Sequence, residues 1–183
     1  LNPQIVQSYA SNNRSRYLAL CYTNFKVSFY LMWIMVLPLF LCCRDVLQLW
    51  LHTVPQYTVE FVKIALLCGL VEALGSAISV PMYATGKICN YQIIVSAVKI
   101  LSLPVVYLLF IFDYPPISSL YICLLFDIIA QLVRVKIWTK LVGDSVLKYL
   151  RTIILPGIII VLITSGIGAY FNDVLESINS LVK

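Results

Sequence analysis

Apolar residues fall along this chain in five runs, each about long enough to cross a ~30 Å hydrocarbon layer as a helix, with short polar turns between them. The runs cover about residues 25–43, 58–83, 91–112, 117–138 and 152–171. Residues 1–24 are polar and read as the tail of a preceding helix followed by a loop, with a turn at Ser11, Asn12 and Asn13. Between the first two runs, Asp45 to Tyr57 is amphipathic and carries Trp50 and Tyr57, the pattern of an interfacial segment anchored at headgroup level. Asp113-Tyr114-Pro115-Pro116 forces a turn, because paired prolines cannot continue a helix. After the last run the chain closes in a short polar-apolar stub.

The second run has an unusual pattern for a helix. At 100° per residue Glu72, Ser76, Ser79 and Tyr83 share one stripe, with Ala65, Gly69, Gly75 and Gly86 beside it. Leu67, Leu70, Val71, Leu74, Ile78 and Met82 take the opposite side. A transmembrane helix keeps small and polar residues for its neighbours, so the spacing predicts that the bulky side meets the acyl chains. The next two runs carry stripes of their own, Gln92, Ser96, Lys99 and Ser102 on one and Cys123, Asp127, Gln131 and Arg134 on the other. Gly69, Ala73 and Ala77 form a ladder of small residues suited to close helix packing.

Composition agrees with lipid as the solvent. Of 183 residues 61% are hydrophobic and 11% charged, where soluble domains approach ~25% charged. The expected fold is therefore an all-α, polytopic transmembrane bundle of about five spans. The net charge of +5 is spread over short turns without a contiguous basic patch, which argues against nucleic acid as a partner. Alternating the turns between two sides puts Arg14, Arg16, Lys26, Lys87, Arg134, Lys136, Lys140, Lys148 and Arg151 on one side and Arg44, Lys63 and Lys183 on the other. By the positive-inside rule the first side is cytoplasmic, so the chain starts inside. The six cysteines lie mostly within apolar runs without a C-x-x-C pair and read as small apolar filler. His52 stands alone in a turn beside Pro55 and reads as a surface residue, with no companions for a metal site.

Glu72, Lys99 and Asp127 remain inside the runs, at depths within a turn or two of one another. Each costs about 2.5 to 3.5 kcal/mol at a helix centre, so each is expected to face the bundle and find a partner. Two readings stand side by side. One is a structural ion pair, Glu72 or Asp127 with Lys99, that fixes packing. The other is a polar cavity near the midplane lined by Glu72, Ser76, Ser79, Tyr83, Gln92, Lys99, Asp127, Gln131 and Arg134, in which a carboxylate exchanges a proton or holds a cation while Lys99 and Arg134 attract an anionic headgroup. Pro38, Pro81, Pro104 and Pro156 lie in four of the five runs, where they bend helices and free carbonyls. Enzyme signatures are missing: Gly86-Lys87 is no phosphate loop, and neither G-x-S-x-G nor H-E-x-x-H occurs. We expect no enzyme, no resident cofactor and no metal.

The ordered pieces Asn2-Pro3, Ser8-Tyr9-Ala10, Gln48-Leu49-Trp50-Leu51, Pro55-Gln56-Tyr57, Glu72, Ala84-Thr85-Gly86-Lys87-Ile88, Tyr91-Gln92, Leu103-Pro104 and Pro115-Pro116 resemble the second half of bacterial polysaccharide-unit flippases, the Wzx type of the MATE/MOP exporter superfamily. The resemblance implies a two-bundle transporter of the inner membrane that moves a polyprenyl-diphosphate-linked oligosaccharide across the bilayer by alternating access, for O-antigen and lipopolysaccharide synthesis. It implies coupling to H+ or Na+, and as partners the lipid-linked oligosaccharide, membrane lipids, the missing N-terminal bundle, and polysaccharide polymerase or chain-length proteins. The chain opens on Leu1, and we expect a C-terminal half that does not transport alone. Of the charges within the runs, only Glu72 falls in a stretch that carries the resemblance. The alternatives are a cation-coupled multidrug exporter of the same superfamily and a non-transporting assembly subunit.

Overall fold

The computed structural model describes the backbone of residues 2–51, 53–86 and 88–181, and the side chains of these except Asn2 and residues 169–181. The expectations for Leu1, His52, Lys87 and Lys183 lie outside the described residues. Every described element is helical, and four stretches are long and apolar enough to cross a membrane: Arg14–Leu41, Thr58–Ala84, Ile88–Ile111 and Val146–Gly168. That is one fewer than the five anticipated. The helix over the fourth run, Ile117–Val142, is as long as the others, but it carries Asp127 near its middle and Arg134, Lys136 and Lys140 in its C-terminal half.

The chain begins with α1 (Asn2–Ala10) and a turn at Asn12, whose φ is +53°. α2 then runs from Arg14 to Leu41, starting eleven residues before the expected span at 25, because the side chain of Asn13 accepts the Arg16 N–H and caps the helix. Tyr17, Cys21, Phe25 and Phe29 follow at every fourth position and are buried, so the polar opening of this segment hides one apolar stripe. The interfacial segment is α3 (Cys43–Leu51), with Cys43 and Leu47 turned inward and Leu49 and Trp50 exposed. α4 spans Thr58–Ala84.

The third run is broken into α5 (Ile88–Ile100) and α6 (Ser102–Ile111). Pro104 is the reason. It has no N–H to offer the Ile100 carbonyl, and restarting the helix at Ser102 puts it in a first turn, where a missing donor costs nothing. α7 (Ile117–Val142) stops at Gly143, whose φ of +68° is a left-handed conformation that glycine adopts without strain. α8 (Val146–Tyr149) leads through a π-turn at Leu150–Ile154 into α9 (Leu155–Leu181), again with a proline, Pro156, in the first turn. The expected stub after 171 is helical in its backbone as far as Leu181.

α4 lies between α2 and α7, with α5 and α6 packed on α7 and α9 on α2. This central place overturns the expectation for its bulky side. Leu70, Leu74, Ile78 and Met82 are buried in the core with Phe25, Trp33 and Trp138, while Ser76 and Tyr83 are exposed. Helical spacing identifies which residues share a face, and here the neighbours arrive on the apolar one. Pro81, within α4, leaves the Ala77 carbonyl without its helical donor, and the buried side-chain amide of Asn24 in α2 donates to it at 3.2 Å.

Edge-on aromatic rings fill the space between α2, α7 and α8, with Phe25 and Trp138 centroids 5.2 Å apart at 84°. Arg14 Nη2 donates to the Gly143 carbonyl at 2.7 Å, and the Tyr17 hydroxyl to the Pro81 carbonyl at 3.2 Å. The start of α2 and the ends of α4 and α7 therefore share one end of the bundle, which collects Arg14, Arg16, Lys140, Lys148 and Arg151. At the other end, near Arg44 and Lys63, the Cys43 thiol contacts the Val59 carbonyl at 3.8 Å.

Candidate functional site

Four charged side chains from three helices meet on one side of α7. Glu72 comes from the middle of α4, Lys99 from the last turn of α5, and Asp127 and Arg134 stand two turns apart on α7. Lys99 Nζ lies 2.6 Å from Glu72 Oε2 and 3.1 Å from Asp127 Oδ1. From the other direction Arg134 donates through Nη2 to Glu72 Oε1 at 3.1 Å and through Nη1 to Oε2 at 3.3 Å. Glu72 thus accepts from both cations, and Lys99 bridges both carboxylates. Two carboxylates and two cations leave the cluster neutral, as helices of this hydropathy require.

Burial grades across the group. The Arg134 side chain is 8% exposed and Glu72 46%. The cluster is closed against α7 and open beside α4 and α5. Arg134 fits so deeply because Gly75 has no side chain: a Cβ there would overlap Nη1 and come within 2.6 Å of Cζ. Arg134 Nε and Gln131 Oε1 are buried without a hydrogen-bond partner among the described residues. Gln131 Nε2 donates to the Tyr149 hydroxyl at 3.4 Å, and Gln131 lines an apolar cleft of ≈ 190 Å³ with Val71, Leu74 and Tyr149.

Glu72, Lys99, Asp127 and Arg134 are in direct contact, so the charges face one another as anticipated. Ser79 pairs with the hydroxyl of Tyr91, 3.0 Å away, and donates to the Gly75 carbonyl at 3.2 Å. The other predicted lining residues stand apart. Ser76 returns its hydroxyl to the Ala73 carbonyl at 2.9 Å, and Tyr83 and Gln92 are exposed. Arg134, counted above both with one charged side and with the polar stripe, lies in the bundle interior on that stripe. Sequence reasoning missed Gly75, Tyr91 and Tyr149. Gly75 carried a signal, since it sits three residues after Glu72, beside the polar stripe. Tyr91 entered only through the Tyr91-Gln92 piece of the resemblance, and Tyr149 carried none.

Chemically the arrangement can exchange partners. Lys99 reaches two carboxylates at near-contact distance, so losing one leaves it paired with the other. The Ser102 hydroxyl holds the Lys99 carbonyl at 2.7 Å, at the break between α5 and α6. Among the described residues no group of three or more His, Cys, Asp and Glu is placed to hold a metal ion. Comparison with protein-family models, curated proteins and solved structures finds no match for this chain.

Proposed function

We propose that this chain is one bundle of a membrane transporter, the C-terminal half of a Wzx-type flippase that moves a polyprenyl-diphosphate-linked oligosaccharide across the bacterial inner membrane. The observation that carries the reading is the meeting of Glu72, Lys99, Asp127 and Arg134 from three successive runs in one cluster with an open side. In this reading α7 also spans the bilayer, which brings the spans to five, and is tolerated in lipid because its charges are paired against α4 and α5. The basic end of the bundle faces the cytoplasm.

The open side is half of a central cavity that a second bundle completes. A diphosphate entering there competes with Glu72 and Asp127 for Lys99 and Arg134. A proton or sodium ion on the displaced carboxylates keeps the count of charges balanced, which is how coupling to a gradient enters. The motif order from Asn2-Pro3 to Pro115-Pro116 supports the choice of substrate class.

Glu72→Gln, Lys99→Met and Arg134→Gln in the full-length protein, with export of surface polysaccharide as the readout, test the proposal. Loss of export at normal protein abundance in the membrane is the expected result. Export unchanged in all three overturns it. The direct pairing of all four charges favours a second reading, a neutral cluster that fixes helix packing. That reading predicts export falling only in step with protein abundance.

A further inference from the structure

A cleft of ≈ 430 Å³ runs along the outer face of α8, the π-turn and α9, lined by Leu147, Leu150, Arg151, Ile154, Leu155 and Ile158. These residues recur every three or four positions, so they form one helical face, apolar except for Arg151. A second cleft of ≈ 280 Å³ shares Leu147 and Arg151 with the first and adds Ser145, Lys148 and Thr152. The two make one surface with a basic, hydroxyl-bearing mouth and an apolar trough leading away from it.

The charges at the mouth are not balanced. Lys148 is held by Asp144 at 3.3 Å, whereas Arg151 is exposed and has no ion pair among the described residues. One cation at the mouth is therefore left uncompensated. Arg151 also stands five residues into the candidate span Val146–Gly168, about 8 Å along its axis, at the basic end of the bundle. A guanidinium at that depth, with apolar side chains continuing inward from it, is matched by a phosphate at headgroup level and a hydrocarbon chain below it.

We propose that this surface binds an anionic membrane phospholipid, the phosphate on Arg151 with Ser145 and Thr152 in reach, and one acyl chain in the trough from Leu150 to Ile158. The charge at the mouth selects an anionic head over a zwitterionic one. The trough separates a lipid from a free phosphate ion, which has no use for it. The site is separate from the charged cluster and does not depend on the substrate assigned above.

Native mass spectrometry of the purified chain, released from detergent with equimolar phosphatidylglycerol and phosphatidylcholine, tests this. Phosphatidylglycerol is expected to be retained about fivefold over phosphatidylcholine, the weight of one basic residue near the headgroups. Arg151→Gln removes that preference, and Ile158→Trp, which fills the trough from an exposed position, lowers retention of both lipids. Millimolar inorganic phosphate does not compete. Equal retention of the two lipids by the unmodified chain, an unchanged preference in Arg151→Gln, or displacement of the lipid by inorganic phosphate would each overturn the proposal. Glu72→Gln should leave the preference intact, so failure of the transport reading and failure of this one are read separately.

Discussion

The guanidinium of Arg134 occupies the space that a side chain at Gly75 would need, with Cζ only 2.6 Å from where a Cβ would stand. A glycine on α4 and an arginine on α7 are thus one unit, and the arginine reaches Glu72 through the gap. The guanidinium is the mobile end of its side chain, so Gly75→Ala need not move the backbone. Its cost is that of displacing Arg134 from Glu72. We expect Gly75→Ala to destabilise the purified protein by about 1 to 3 kcal/mol in thermal unfolding. The same substitution in an Arg134→Met background should cost markedly less, and equal costs in the two backgrounds would dissolve the unit.

The order of costs within the cluster follows from who is left alone. Glu72→Gln strips the partner from Arg134, which is 8% exposed, and one of two partners from Lys99. Lys99→Met leaves Glu72 with Arg134 but strands Asp127, whose side chain is 18% exposed. Asp127→Asn leaves Lys99 on Glu72. Breaking a fully buried pair costs about 3 to 5 kcal/mol, and the half-exposure of Glu72 lowers this to about 2 to 3 kcal/mol for Glu72→Gln. Unfolding should rank Glu72→Gln above Lys99→Met above Asp127→Asn, the last below about 1 kcal/mol. A different order would mean that the contacts do not carry the energies their burial implies.

The cluster was largely legible in the chain because two rules act on the same residues. Period 3.6 put Glu72, Lys99 and Asp127 on narrow stripes, and the cost of charge in lipid required those stripes to meet. The direction of a stripe was not legible. α4 turns Leu70, Leu74, Ile78 and Met82 into the core because α2 and α7 arrive on that side, and nothing local to α4 records their arrival. Arg134 was placed twice, on the polar stripe of the fourth run and among the basic turns, for a related reason. A basic residue near a helix end reads as a surface charge until a glycine on another helix opens a seat for it. The break at Leu101 and the early start of α2 were written in Pro104 and Asn13, but each requires knowing that the backbone uses the local option.

Asn24 and Pro81 give a second pair whose meaning emerges only across helices. Pro81 deprives the Ala77 carbonyl of its donor, and the Asn24 amide supplies one at 3.2 Å in a buried site. Removing the amide in Asn24→Ala leaves a buried carbonyl unsatisfied and should cost about 1 to 3 kcal/mol, including the small cavity it opens. With Pro81→Ala the residue-81 N–H returns to the helix and satisfies Ala77 on its own. In a double-mutant cycle Asn24→Ala should then cost about 1 kcal/mol less in the Pro81→Ala background. Additive costs would mean that Asn24 serves packing and not the orphan carbonyl.

At the basic end, Asp144 sets a dependence on pH whose sign can be worked out. Burial pushes its carboxyl up, but the Ser145 N–H at 2.9 Å, the Tyr22 hydroxyl at 2.9 Å and the Lys148 ammonium at 3.3 Å outweigh it and hold the group below the usual carboxylate range. A carboxylate whose folded value is lowered contributes stability above its unfolded value, near pH 4, and that contribution is lost as pH falls through the folded value. Asp144→Asn should therefore be less stable than the unmodified chain at pH 7, by about 1.5 to 3 kcal/mol for the charged hydrogen bonds it gives up. The gap should begin to shrink as pH drops below about 4, where the unfolded chain takes up the proton, and close as pH falls through the lower folded value. Reading the difference between the two proteins removes the titration of Glu72, Asp127 and the other carboxylates, which both share. Tyr22→Phe should show a smaller gap with the same trend. A gap that stays constant from pH 7 to pH 3 would show that Asp144 holds α2 to α8 by packing alone.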